Sequence, residues 1–533
     1  MNMKKLIFLL LFLPALNAFS SEVDIRGNWI YVDGEKYFVK AIGYAGYRQG
    51  EVPAPYAHGQ NTDLLEEDIK LIKEAGFNTI RTWDARSKEE LDLYAKYGLM
   101  VMFGFWFDQD KLLSGEKELE EIISRIKEET EQVKNCSNIL MYLVIANEPK
   151  ITLVRDKDRR QLLESYARIR DAVRSVDPSK PLALTYWNPI IFLDNSLWDV
   201  LCVNTYYHSP VTNNFSMGYR CYNEYLAKVV AAGKPFINTE FGIILGPKIY
   251  GGAKYLKYTY GGNDEKIQEE GFIELYSDLI SSGAHGVSVL HFLDQWWVVG
   301  NPEIQDKHPE EWLGIAALSP ESEGSHAQPR PAYYALKDYN QVLLVSPRDM
   351  DIAAKIIPVD VFVTENIGKV TAECCGETLE LGKTGKRWFS GYFKTSGIKD
   401  EVVAVNITAY GDKEYKRQAT VWIKKSGLPE VPLKVNVHTD KKTVHPGDKI
   451  FLTVRVTDEL NNPVADKDVN ISLFYPVNWM ERIWTRKTDK KGVVTIEINT
   501  PNQKGWINLA AGTEFSKGSF RKRAGDMTTV FME

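Results

Sequence analysis

Cysteine is scarce in this chain: five residues in 533, at Cys136, Cys202, Cys221, Cys374 and Cys375. So sparse and odd a set is no disulfide scaffold, and at most two bridges could form. Cys374 and Cys375 are adjacent, a spacing that strains a bridge, so free thiols are expected there. Cys202 lies in an apolar run and reads as core. No Cys-x-x-Cys occurs, and the eight histidines form no His-Glu-x-x-His. A dedicated transition-metal site is therefore not indicated, and no cofactor is called for. Charge of one sign is lacking too. The 65 basic and 71 acidic residues leave a net charge of −6, which excludes a strongly basic nucleic-acid binder and a polyanionic tail. Long apolar runs are also missing. The run Leu6–Leu13 is far short of the roughly 20 residues that span a bilayer. With Lys4 and Lys5 ahead of it and Pro14, Ala15, Ala18 and Ser20 after it, residues 1–20 read as an export signal cleaved after Ser20 or Ala18. The mature chain is expected to be secreted, extracellular or periplasmic, with no membrane span.

What is plentiful is aromatic surface. Aromatics make up 12% of the residues, with 13 Trp and 27 Tyr. At 44% hydrophobic and 26% charged, the chain is globular and long enough for several domains.

From about residue 24 to 345, apolar runs alternate with amphipathic stretches. Eight runs read as strands buried on both faces: 37–44, 77–83, 99–107, 139–146, 181–187, 200–207, 234–241 and 286–293. Helices are expected over 63–75 (Asp63 as its cap), 88–97, 116–134, 159–176 and 268–281. Eight strands alternating with helices is the count of a (β/α)8 TIM barrel. A doubly wound open sheet is the alternative, but the turn Gly43-Tyr44-Ala45-Gly46-Tyr47 matches no nucleotide fingerprint. Beyond residue 345 helical periodicity gives way to short alternating strands. These suggest two small all-β domains of immunoglobulin-like sandwich type, over 346–426 and 430–533, joined by Gly427-Leu-Pro-Glu-Val-Pro432.

In a barrel, chemistry belongs at the C-terminal strand ends. The fourth run ends Ala146-Asn147-Glu148-Pro149 and the seventh ends Thr239-Glu240-Phe241-Gly242. A carboxylate at the end of a buried strand is costly without a partner or a function. Two of them facing one cleft are what glycoside hydrolysis needs, one protonated and one ionised. Asn147 can hydrogen-bond a sugar hydroxyl. Trp83, Trp106, Trp187, Trp296 and Trp297 all fall at or just past strand ends, where aromatic faces stack on pyranose rings.

The segment Lys134-Asn-Cys-Ser-Asn-Ile-Leu-Met-Tyr-Leu-Val-Ile-Ala-Asn-Glu-Pro149 closely resembles the fourth-strand signature of family 2 glycoside hydrolases and their clan of retaining barrel enzymes, with family 5 and glucanosyltransferase relatives sharing the glutamate pair. Thr239-Glu240-Phe241-Gly242 resembles the clan's nucleophile signature, Val203-Asn204-Thr205-Tyr206-Tyr207 its sixth-strand motif, and Ile80-Arg81-Thr82 its second-strand arginine. Gly286–Asp294 and Arg330–Lys337 resemble its eighth strand and closing helix. The resemblance implies a secreted retaining β-glycoside hydrolase, Glu148 the acid/base and Glu240 the nucleophile. Arg81 and Tyr206 would hold the nucleophile ionised, with Asn147, Asn204, His208 and His291 on the substrate. Two positions depart from the pattern: Cys136-Ser137 replaces His-Pro before the fourth strand, and Leu290 stands where a Trp floors the catalytic subsite. About ten residues separate the expected signal from the first strand, so the sandwich domains that usually precede this barrel are not expected.

The same residues would serve a β-glucan transglycosylase, and a non-catalytic carbohydrate-binding surface protein is the third reading. The expected partner is a carbohydrate, a neutral glycan on the charge balance. Val456–Asp466 resembles repeats of bacterial surface proteins, which implies cell-surface or polysaccharide contact for the β modules.

Overall fold

The computed structural model of the protein describes residues 21–52, 62–156, 159–209, 215–248, 257–305, 308–424 and 433–533. The expected signal over 1–20 and the linker 427–432 lie outside these residues.

Eight strands close a parallel barrel: β1 Val39–Gly43, β2 Thr79–Arg81, β3 Met100–Gly104, β4 Ile139–Ile145, β5 Leu182–Trp187, β6 Val200–Asn204, β7 Phe236–Phe241 and β8 Gly286–Val289. Each strand pairs in parallel with the next, and β8 pairs back onto β1. Alternation explains why the runs read as continuously apolar. Met100, Met102, Met141, Leu143, Ala183, Cys202 and Ile237 fill the inside of the barrel. Val101, Phe103, Tyr142, Val144, Leu184 and Val203 face outward under the helices. With both faces buried, polar residues within the strands are few, and Lys40 and Asn238 meet partners inside, Lys40 Nζ donating to the Asn340 carbonyl and Asn238 Nδ2 to Thr205 Oγ1. An antiparallel sheet of Val23–Arg26, Trp29–Val32 and Glu35–Tyr37 precedes β1, and its Val23 and Ile30 join the barrel's interior cluster.

The helices follow the apolar periodicity, at Thr62–Glu74, Lys88–Lys96, Glu116–Val133, Arg159–Val176 and Glu265–Ser282. Asp63 lies inside its helix, in the first turn, rather than at the cap. There it still opposes the positive end of the helix dipole. Lys88–Lys96 starts with a capping box, Ser87 accepting from the Glu90 amide and Glu90 from that of Ser87. The last barrel helix, Pro331–Tyr339, is tied to the loop after β8 by a buried two-pronged pair, Arg330 Nη1 and Nη2 each 2.7 Å from an Asp294 oxygen.

Two β modules follow, each of two sheets around its own core. The first has four- and five-stranded sheets enclosing Val359, Val361, Phe389, Val370, Val405, Ile407 and Val421. Val342–Ser346, at the expected end of the barrel domain, pairs with Ile356–Val363 on this module's sheet. The second has three- and five-stranded sheets enclosing Leu452, Val454, Ile471, Leu473, Ile496 and Leu509. Neither is a free appendage. Trp388 of the first donates its indole N–H to the Lys36 carbonyl at 2.7 Å, and Trp506 of the second donates to the Pro189 carbonyl at 2.7 Å. All five cysteines are free thiols, with the Cys374 and Cys375 sulfurs 3.7 Å apart. Among the described residues no helix is long and apolar enough to cross a membrane.

Candidate active site

Because all eight strands run the same way, their C-terminal ends share one mouth. Glu240, at the end of β7, is buried and accepts three hydrogen bonds. Arg81 Nη1 of β2 donates to Oε1 at 2.5 Å, Trp83 Nε1 to the same oxygen at 3.3 Å, and the Tyr206 hydroxyl to Oε2 at 2.6 Å. The register of β7 slips between Asn238 and its next paired residue against both neighbouring strands. Such irregularities re-aim side chains at the rims of barrels. Here Thr239 bonds sideways to β6 while Glu240 enters the cleft.

Arg81 is fully buried, so its charge must be answered locally. Glu240 supplies the counter-charge, the Ala146 carbonyl takes Nη2 at 2.9 Å, and the guanidinium lies 4.0 Å from the Trp83 ring centre. One arginine therefore links the ends of β2, β4 and β7. Trp83 itself is seated by an absence: a Cβ on Gly43 would come within 2.5 Å of its ring. His291 sits against the same indole, ring centres 5.3 Å apart, and burial lowers its pKa to about 3, so its ring is neutral near pH 7.

Glu148, just past β4, is half-buried and accepts from Asn204 Nδ2 at 2.7 Å. Thr239 Oγ1 donates to Asn204 Oδ1 at 2.7 Å, which turns the amide nitrogen toward Glu148. Burial, and then the nearby Glu240 charge, push the Glu148 carboxyl up to about 7, against the lowering effect of the Asn204 bond. That field places the two glutamates in one electrostatic unit, one carboxyl whose titration is lifted to near neutrality beside an acceptor of three donors.

The remaining sequence candidates divide. His208 stacks on Tyr206 with ring centres 5.2 Å apart and borders Tyr260; burial lowers its pKa to about 4. Leu290 joins Ile244 and Leu313 in an apolar patch packed against Trp83, Tyr206 and Tyr260, so aliphatic and tyrosine surface borders the site on the β7 and β8 side. Asn147 is half-buried beside Glu148. Trp106 is 50% exposed past β3. Trp187 ends β5, opposite Asn204 in the β5–β6 register. Trp297 meets Tyr47 from the β1 loop, ring centres 5.8 Å apart, and Trp296 is half-buried beside it. Three participants escaped the sequence reading. Thr239 orients Asn204, and its place beside Glu240 was the available signal. Tyr260 donates its hydroxyl to Glu310 at the edge of the patch, and Trp479 reaches Trp187 from the last module. Neither has a sequence signal, because each arrives from a distant loop.

Residues 23–288 match the family model described as "Glycosyl hydrolases family 2, TIM barrel domain". Among curated proteins none matches the sequence. Among solved structures the chain is similar to β-glucuronidase 3 of Bacteroides uniformis, at 14% identity and TM-score 0.43, over 96% of this chain and 64% of that one. It is similar to the Parabacteroides merdae β-glucuronidase at 12% identity and TM-score 0.45, over 95% and 65%. For the Ruminococcus gnavus β-glucuronidase complexed with a C6-substituted uronic isofagomine the values are 19%, 0.43, 60% and 52%. The chain thus spans less than two thirds of the length of each of these proteins.

Proposed function

Through its barrel this chain belongs to the family 2 glycosyl hydrolases, and from that premise we propose that it hydrolyses β-linked glycans with retention of configuration. The observation that carries the proposal is the unequal environment of the two glutamates. Glu240 accepts three hydrogen bonds and donates none, the pattern of an ionised carboxylate. Glu148 is raised to about 7 by burial and by that same negative charge, so below neutrality it carries a proton to give.

The reaction runs in two displacements. Glu148 protonates the glycosidic oxygen while a Glu240 oxygen attacks the anomeric carbon. The bond to the leaving sugar breaks, and a glycosyl-enzyme ester forms. Glu148 is now a carboxylate, takes a proton from water, and the hydroxide displaces Glu240. As the ester forms, Glu240 loses its charge, and that part of the force raising Glu148 disappears. Glu148 is then more readily held as the carboxylate at the step that requires a base. Arg81, Trp83 and Tyr206 hold Glu240 in place, and Asn204 holds Glu148. His208, His291, Asn147 and the strand-end tryptophans are assigned to the sugar.

Covalent trapping tests this. A 2-deoxy-2-fluoro β-glycoside with a dinitrophenolate leaving group is expected to label Glu240, read by peptide mass spectrometry, and Glu240→Gln is expected to be unlabelled and inactive. Labelling elsewhere, or a folded Glu240→Gln with full activity on aryl glycosides, would overturn the assignment. The activity is further proposed to be exported, on the residues of the 1–20 segment. An N-terminus of the mature protein at Phe19 or Ser21 supports that, and retention of Met1 in exported material opposes it.

A further inference from the structure

We propose that the last β module completes the substrate cleft. Trp479, in the hairpin loop of residues 476–479, forms with Trp187 an aromatic platform for the sugar on the leaving-group side of Glu148. This rests on the glycosidase reading above and specifies how far the site extends.

A relay of contacts runs from the module to the acid. Trp479 lies 5.9 Å, ring centre to ring centre, from Trp187. Trp187 is the last residue of β5 and faces Asn204 in the strand register. Asn204 holds Glu148. The group that protonates a leaving oxygen lies on the leaving sugar's side, so an aromatic surface next to it serves that sugar rather than the one attacked.

Trp479 is placed there at a cost. Its backbone has φ of 57°, a left-handed conformation that a bulky side chain seldom adopts without a compensating reason. The residue stays 58% exposed, its ring backed by Phe474 at 5.5 Å. A core role would bury such a residue; an open indole against a second indole at a cleft is the surface on which the C–H face of a pyranose packs.

The module is also seated too firmly for this to be a passing encounter. Pro189, two residues beyond Trp187, gives its carbonyl to both Trp506 Nε1 at 2.7 Å and Asn508 Nδ2 at 3.1 Å. Phe192 packs against Trp506 and Phe531, and the Ser472 and Ser216 hydroxyls bond at 2.9 Å. A Cβ on Gly512 would stand 2.3 Å from the Ser216 carbonyl, so glycine there lets the two backbones meet. The loop that follows Trp187 and the sheet whose hairpin carries Trp479 are thus fastened together.

The test uses the full chain with 4-nitrophenyl β-glucoside, galactoside, mannoside, xyloside and glucuronide, and then the β-linked tetrasaccharide of whichever sugar is cleaved fastest. Trp479→Ala is expected to leave kcat/KM on the β-glycosyl fluoride of that sugar, whose leaving group does not reach the platform, within about twofold and to lower it on the tetrasaccharide about tenfold, mostly through KM, with Trp479→Phe restoring part of the loss. Equal loss on both substrates, or none on the tetrasaccharide, overturns the platform and leaves the glycosidase reading standing. If the native chain cleaves no member of the panel and no fluoro-glycoside labels Glu240, the glycosidase reading falls and takes the platform with it.

Discussion

Asn204 Nδ2 lies 2.7 Å from Glu148 Oε1, with Thr239 holding the other end of the amide. This bond favours the charged carboxylate and so opposes the burial and the Glu240 charge that raise Glu148. Removing it has a definite sign. Asn204→Ala is expected to move the Glu148 titration upward, so the alkaline limb of kcat/KM shifts to higher pH. The rate at its optimum should fall about 10–100-fold as the acid loses its orientation. Thr239→Val, which leaves the amide present but unheld, should shift the limb the same way by less. A limb that moves down in either variant would contradict the geometry.

The pH profile of the native enzyme follows from the same pair. A general acid works only while protonated; in the role proposed for Glu148, burial and the Glu240 charge, which raise its carboxyl to about 7, set that limit. Turnover of substrates with poor leaving groups is therefore expected to fall as pH rises through about 7. A dinitrophenyl glycoside, whose leaving group needs no proton, should keep its glycosylation rate above that pH. Stopped-flow bursts on the two substrate types, at pH values about one unit below and above the Glu148 titration, make the comparison.

Arg81 and Glu240 form a buried pair 2.5 Å apart, with side chains 0% and 10% exposed. Breaking one half leaves the other charge uncompensated. Arg81→Met alone is expected to lower stability by about 3–5 kcal/mol in urea unfolding, whereas Arg81→Met combined with Glu240→Gln should recover much of that loss. If the double variant is as unstable as the single one, packing rather than charge explains the arginine.

Trp506 is fully buried although it belongs to the last module, and it lies in the same apolar cluster as the barrel's outer layer. Trp506→Ala is expected to cost about 3–5 kcal/mol, as other buried aromatic truncations do. Calorimetry should then separate a module transition from the barrel transition. A single unsplit transition at unchanged temperature would show that the docking is not energetic.

The barrel was legible because burial on both faces writes a distinctive text. Runs such as Ile139–Ile145 contain no charged residue, and the helices between them carry apolar positions three and four apart. The glutamates were legible for the complementary reason: Ala146-Asn147-Glu148-Pro149 and Thr239-Glu240-Phe241-Gly242 close the fourth and seventh apolar runs, where a carboxylate needs a partner or a function. Arg81, Tyr206 and Asn204 could be named from the order of strand motifs. The first β module was read less completely. Lys369–Cys374 and Glu377–Glu380 form a hairpin there that short, half-exposed, strongly polar strands did not announce.

Chain chemistry and local pattern were enough to state the barrel, the two all-β modules and the glutamate pair, because hydrophobic periodicity and strand-end charge are properties of neighbouring residues. Folding alone decided which partners those residues meet. The slip in β7 aims Thr239 and Glu240 in different directions, Arg81 spans from β2 to β4 and β7, and a loop of the last module lays Trp479 against Trp187. Such contacts depend on strand register and on the angle at which a module docks. Those are set by summed packing over the whole surface, and no single residue or spacing carries them.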